Sequence, residues 1–124
     1  MAKILVVDDS GLSRRISRRI LEEAGHAVTD AADGLAALER YALDRPDLVL
    51  LDVTMAEMDV LEVLRQLRAM DPAARVVMVT ADVQTSTRTL AEAGGAVGFV
   101  GKPLAAEQVL RAVDSSLTPQ GGRL

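Results

Sequence analysis

Five short apolar runs, each leading into a polar residue or a turn, alternate along the chain with segments of helical periodicity. The runs are continuous, not alternating. Ile4-Leu5-Val6-Val7 stops at Asp8-Asp9, Leu48-Val49-Leu50-Leu51 stops at Asp52, and Val76-Val77-Met78-Val79 stops at Thr80. Continuous β-branched runs of this length read as strands buried on both faces. The spacing predicts strands over 4–7, 27–32, 47–52, 75–80 and 97–101, and helices over 10–24, 34–43, 61–70, 85–93 and 105–117. Gly25, Pro46, Asp71-Pro72 and Gly94-Gly95 punctuate them. Strands that alternate with helices form right-handed βαβ crossovers, hence an α/β, doubly wound, five-stranded parallel sheet with five helices on its two faces.

Leu12, Ile16, Ile20 and Leu21 are expected on the inner side of the first helix, and Leu35, Leu38, Ala42 and Leu43 on that of the second. In the last helix, Val109, Leu110, Val113 and Leu117 share one face. Residues 85–93 are rich in Thr and Ser and make a weak helix. At 124 residues there is room for one domain, read as 1–118, with a flexible tail over 119–124.

Composition removes several chemistries. There is no Cys and a single His, which excludes disulfides, thiol catalysis and histidine clusters. The net charge of −4 gives no basic footprint for nucleic acid. No apolar run approaches the ~18 residues of a membrane span, and the first run meets two aspartates too early to be a signal-peptide core. A cytoplasmic chain is expected, with His26 as a surface turn residue and the methionines as core filler.

Ligands of open α/β sheets bind outside the carboxyl ends of the strands. Asp8 and Asp9 follow the first strand, Asp52 ends the third, Thr80 ends the fourth and Lys102 follows the fifth. Three carboxylates brought together at ~4 Å would repel by about 4 kcal/mol per pair at an effective dielectric of ~20. A divalent cation relieves this, and ligands made only of oxygen select Mg²⁺, or Mn²⁺ in its place. Such a site suits phosphoryl transfer: Asp52 as nucleophile, Asp8 and Asp9 on the metal, Lys102 and Thr80 on the phosphoryl oxygens. An isolated acid after a strand is more often a cap or turn residue, which is the reading for Asp33, Asp59 and Asp71.

The segments ILVVDDS, LVLLDVTMAEMD, VVMVTA and GFVGKP together resemble the receiver domain of two-component response regulators in its single-domain, CheY-like form. The resemblance spans about residues 3–117 and implies the strand order 2-1-3-4-5. It implies that Asp52 is the phosphoacceptor, that Asp8 and Asp9 serve Mg²⁺, with Asp9 the more direct ligand, and that Thr54 lends a backbone carbonyl. It makes Thr80 and Phe99 the switch residues, Lys102 the phosphoryl-pairing lysine, and Lys102-Pro103 a cis bond. The implied partners are a histidine kinase or phosphotransfer protein and a downstream target on the face of the fourth helix, fifth strand and fifth helix. The chain is then a monomer, with no direct nucleic-acid or membrane contact, and not an enzyme beyond its own phosphorylation and dephosphorylation.

Two residues depart from the family's pattern. Ala56 stands where a proline is usual and Val60 where a glycine is usual. Segment 54–60 is therefore expected to be displaced or less ordered, with Val60 either strained or forcing another backbone path. Asp82 is at a position where family members vary and which tunes dephosphorylation. Arg14, Arg15, Arg18 and Arg19 form a basic stripe, either a solvated helix face or a docking surface for the phosphodonor. Two further readings compete. One is a receiver that binds partners without phosphorylation, supported by the altered loop. The other is a metal-dependent phosphohydrolase of the haloacid dehalogenase type, opposed by Thr54 where that motif needs a second Asp. A nucleotide-binding doubly wound domain is opposed by the lack of a Gly-rich fingerprint after the first strand.

Overall fold

The computed structural model describes residues 2–53, 60–80 and 97–117. The elements run β1 (Lys3–Val7), α1 (Gly11–Glu23), β2 (Ala27–Ala31), α2 (Gly34–Asp44), β3 (Leu48–Asp52), α3 (Val60–Met70), β4 (Val76–Thr80), β5 (Gly98–Gly101) and α4 (Ala106–Leu117). All strand pairs are parallel and the order is β2-β1-β3-β4-β5. Every predicted strand is found, and so is every predicted helix but one. The helix expected over 85–93 lies outside the described residues, as do Thr54, Met55, Ala56, Met58, Asp59, Asp82 and the tail.

The sheet divides the core in two. Leu5, Val7, Val49, Leu51, Val76 and Met78 point toward α2 and α3. Ile4, Val6, Leu48, Leu50, Val77 and Val79 point the other way, toward Leu21 of α1 and Val109 and Val113 of α4. The period of two along each strand thus serves two apolar layers, which is why the runs read as continuous.

Local chemistry sets the helix ends. Ser10 caps α1, accepting from the Ser13 N–H at 3.2 Å, and Asp33 caps α2, accepting from Ala36 at 2.8 Å. At the far end of α1, Gly25 N–H reaches the Glu22 carbonyl and His26 N–H the Leu21 carbonyl, while Gly25 adopts φ 95°. This is a Schellman ending, and its left-handed residue is why glycine stands there. His26 does more than turn the chain: half-buried, its Nδ1 accepts the Ala2 N–H at 3.1 Å and ties down the start of β1.

Three expectations need correction. In α1, Leu12 (62% exposed) and Ile16 (42%) face solvent, and the buried residues are Ser17 and Leu21. In α2, Leu35 (66%) and Leu43 (77%) are exposed, as is Ala42. Gly34, Ala37 and Tyr41 pack inward instead, with Leu38 at the margin. Small residues at the first two of these positions let the helix lie close to the sheet. Tyr41 is buried because its hydroxyl has a partner, donating to Asp71 Oδ2 at 2.7 Å. Burial, then that carboxylate, pushes the Tyr41 phenol up to about 12, while its hydroxyl holds Asp71 below the ordinary carboxylate value. Finally, of the two alternatives at Val60, a strained positive φ is not what the structure shows. Val60 opens α3, is buried in the core, and among the described residues the left-handed non-glycine is Arg45 (φ 45°). Residues 54–59 of the expected loop lie outside the described residues.

Candidate functional site

Parallel register brings the carboxyl ends of β1, β3, β4 and β5 to one edge. Val7 lies opposite Leu51, Asp52 opposite Val79, and Thr80 opposite Gly101. Asp8, Asp52, Thr80 and Lys102 therefore sit within two residues of one another along the strand direction. Carboxylate oxygens of Asp8, Asp9 and Asp52 lie within 4.8 Å of one another. Asp8 and Asp52 are buried, at 3% and 2% exposed, and Asp9 is exposed.

Lys102 faces the pair. Its Nζ is 3.1 Å from Asp52 Oδ2 and 3.8 Å from Asp8 Oδ2. Its backbone N–H donates to the Thr80 carbonyl at 2.7 Å, so β4 positions the residue that carries the charge. The Lys102-Pro103 bond is cis. Thr80 is buried at 2% exposed, and Phe99 lies in β5 opposite Met78.

One lysine does not balance three carboxylates. Burial chiefly raises the Asp8 carboxyl above its ordinary value of 3.8. The Ser10 N–H bonded to Asp8 Oδ1 at 2.9 Å pulls the other way, and Asp52 raises it further through charge and hydrogen bond. A compact excess of negative charge with oxygen-only donors fits Mg²⁺, a hard cation that keeps several of its waters and takes one or two carboxylates. Asp8, Asp9 and Asp52 are the residues that could hold it. Thr54, expected to add a carbonyl, lies outside the described residues.

Two neighbours were not singled out for this site from the sequence. Ser10 caps α1 with its hydroxyl while its own N–H holds Asp8. Arg14 turns back from α1 and donates from Nη1 to the Asp8 carbonyl at 2.7 Å. The basic stripe is accordingly not uniform. Arg14 faces the site and Arg18 pairs with Glu22 (3.0 Å) and Asp30 (3.3 Å). Arg19 pairs with Glu23 (3.3 Å), while Arg15 is exposed. The signal for Ser10 and Arg14 was present as a cap residue and a cation one turn later, but their pairing depends on how the turn folds back.

Comparison with known proteins agrees with this geometry. The family model described as the response regulator receiver domain matches residues 4–114. The chemotaxis protein CheY of Listeria monocytogenes is 39% identical over 117 residues, covering 94% of this chain and 98% of that protein. CheY of Bacillus subtilis is 38% identical over 116 residues, covering 93% and 97%. Among solved structures, the chemotaxis protein CheY4 of Vibrio cholerae superposes with a TM-score of 0.89 at 32% identity, covering 94% of this chain and 99% of that one. A chain of the CheX-CheY-BeF3-Mg²⁺ complex from Borrelia burgdorferi gives 0.88 at 32% identity, covering 94% of this chain and 90% of that one.

Proposed function

Because this chain belongs to the response regulator receiver family, we propose that it is a phosphorylation-controlled switch that takes a phosphoryl group onto Asp52. The observation that carries this reading is the placement of Lys102 Nζ 3.1 Å from Asp52 within a three-carboxylate cluster at the carboxyl edge of the sheet. The donor is a phosphohistidine of a histidine kinase or phosphotransfer protein. An Asp52 carboxylate oxygen attacks phosphorus, a P–O bond forms and the P–N bond breaks. The electron pair leaves on the imidazole nitrogen, which takes up a proton. Lys102 stabilises negative charge on the transferring phosphoryl oxygens, and Thr80 serves as the hydroxyl that the phosphoryl group recruits. Asp8 and Asp9 would hold Mg²⁺ together with Asp52; when bound, the ion supplies positive charge to the phosphoryl oxygens. Hydrolysis reverses the state: water attacks phosphorus and Asp52 is released as a carboxylate.

The acyl phosphate biases a two-state equilibrium in which Thr80 and Phe99 are the reporting residues, and the output is binding of a protein target on the face that includes β5 and α4. Among the described residues no helix is long and apolar enough to cross a membrane. The reading is tested by intact mass after incubation with acetyl phosphate. A gain of one phosphoryl group with Mg²⁺, and none with a chelator, is expected. No gain in a folded protein would favour a receiver that binds partners without phosphorylation.

The exposed strip of α1 around Leu12, Arg15, Ile16 and Arg19 is the docking face for the phosphodonor protein in this reading. Charge reversal at Arg15 and Arg19 is then expected to slow transfer from a cognate kinase about ten-fold or more while leaving uptake from acetyl phosphate unchanged. Equal slowing with both donors would reject docking there.

A further inference from the structure

Asp9 is the exposed member of the carboxylate trio, and among the described residues its side chain makes no hydrogen bond. Its position is therefore set by its backbone. The peptide unit that carries it begins at the Asp8 carbonyl, and that carbonyl accepts the Arg14 guanidinium at 2.7 Å. Asp8 is held at its other end as well, its N–H donating to the Ala31 carbonyl at 3.1 Å and its Oδ1 accepting from Ser10 at 2.9 Å. Arg14 is rooted in the same turn, since its own N–H donates to the Ser10 carbonyl at 2.9 Å. The loop 8–10 and the first turn of α1 thus form a closed ring of hydrogen bonds, and the guanidinium is the cation in it.

We propose that Arg14 is a positioning residue for the divalent cation: by holding the Asp8–Asp9 peptide plane it fixes where the Asp9 carboxylate is presented to an ion held there. The inference rests on the phosphoacceptor reading above and deepens it. Mg²⁺ tolerates little departure from octahedral geometry, so an acid on a loosened backbone binds it poorly. Groups that orient metal ligands typically change metal affinity 10–100-fold.

The sign of the effect separates positioning from charge. A guanidinium beside a cation site repels the ion, so an effect through charge alone would make Arg14→Met bind Mg²⁺ more tightly. Positioning predicts the opposite, about ten-fold weaker binding, with Arg14→Lys in between because the ammonium keeps the charge and loses the planar fork. The experiment is Mg²⁺ titration of the unphosphorylated full chain by calorimetry and amide chemical shifts, alongside thermal unfolding. Arg68→Met serves as control, since Arg68 also donates to a backbone carbonyl, that of Ala74 at 2.9 Å, far along α3 from the site. Its Mg²⁺ affinity is expected to match the parent's. In acetyl phosphate uptake, Arg14→Met should need about ten-fold more Mg²⁺ for half-maximal rate yet reach a plateau within about two-fold of the parent's. Unchanged or tighter Mg²⁺ binding by a folded Arg14→Met overturns the proposal. Should that variant not fold, parent-like binding by Arg14→Lys overturns it equally. A parent chain that binds no Mg²⁺ overturns the function reading and this inference together, which sets that failure apart from the others.

Discussion

Asp52→Asn is expected to take up no phosphoryl group from acetyl phosphate and Mg²⁺, and, free of metal, to unfold at a higher temperature than the parent chain. The loss follows from the amide: it is neutral and has no oxygen lone pair comparable in nucleophilicity to a carboxylate's. The gain follows from the site's charge balance. Three carboxylates lie with oxygens within 4.8 Å, two of them buried, and among the described residues the ammonium that pairs with them is that of Lys102. At an effective dielectric of ~20 each such pair repels by about 3–4 kcal/mol, which Lys102 offsets only in part. Removing one charge should stabilise the metal-free fold by about 1–2 kcal/mol, since a site built for chemistry holds strain that its removal releases. A variant that is phosphorylated, or that unfolds below the parent near neutral pH without metal, would contradict this account.

The same comparison has a pH signature whose sign is fixed. Burial and Asp52 raise the Asp8 carboxyl above 3.8 in the folded chain. The native state then keeps a proton that the unfolded chain has already lost, so stability falls as pH rises from 3.8 through the raised native value. In Asp52→Asn the contribution of Asp52 is gone and that of burial remains, so the fall is smaller. The difference between the two proteins should open across that window and persist at neutral pH. Mg²⁺ should raise the midpoint of the parent more than that of the variant, because only the folded state assembles the full ligand set. Far-ultraviolet circular dichroism suits the measurement, as the chain has no Trp.

The parallel sheet and the location of the site were legible in the residues because each depends on a signal that tertiary structure does not override. A run such as Leu48-Val49-Leu50-Leu51 has no polar face to expose, so it must be covered on both sides. Asp8, Asp52 and Thr80 are buried polar groups that the ends of such strands carry inward, and no cap or turn explains all three. The inner faces of the helices were less legible. In α2 apolar residues occur nearly all round, at Leu35, Ala36, Ala37, Leu38, Tyr41, Ala42 and Leu43, so periodicity alone admits more than one buried face. The choice is made by the small Gly34 and Ala37, which allow close approach, and by Asp71, which supplies the partner that lets Tyr41 go under. That partner is 30 residues away and invisible to any local window. Val60 shows the reverse failure. Its mismatch with the family's glycine suggested strain, but a helix start that faces the core accepts a β-branched residue readily.

Lys102→Met is expected to slow phosphorylation of Asp52 by about 10²–10³-fold, the scale of losing one preorganised charge at a reacting oxygen. Met matches the lysine stem in length, so the change isolates the ammonium. At rest that ammonium is the counter-ion of two buried acids, at 3.1 Å from Asp52 and 3.8 Å from Asp8, and it is itself only 22% exposed. Its removal takes a close positive charge from both acids and should lower metal-free stability at neutral pH by about 2–3 kcal/mol, opposite in sign to Asp52→Asn. Mg²⁺ binding should tighten, because one competing cation is gone. The three readouts cannot all move this way if Lys102 is a structural tether, since a tether's loss would weaken metal binding along with the fold. Combining the two changes tests the coupling: if Lys102 acts on Asp52, Asp52→Asn should recover most of the stability that Lys102→Met removes. A rate loss under ten-fold, or additive stability effects in the double variant, would place the phosphoryl-stabilising charge elsewhere.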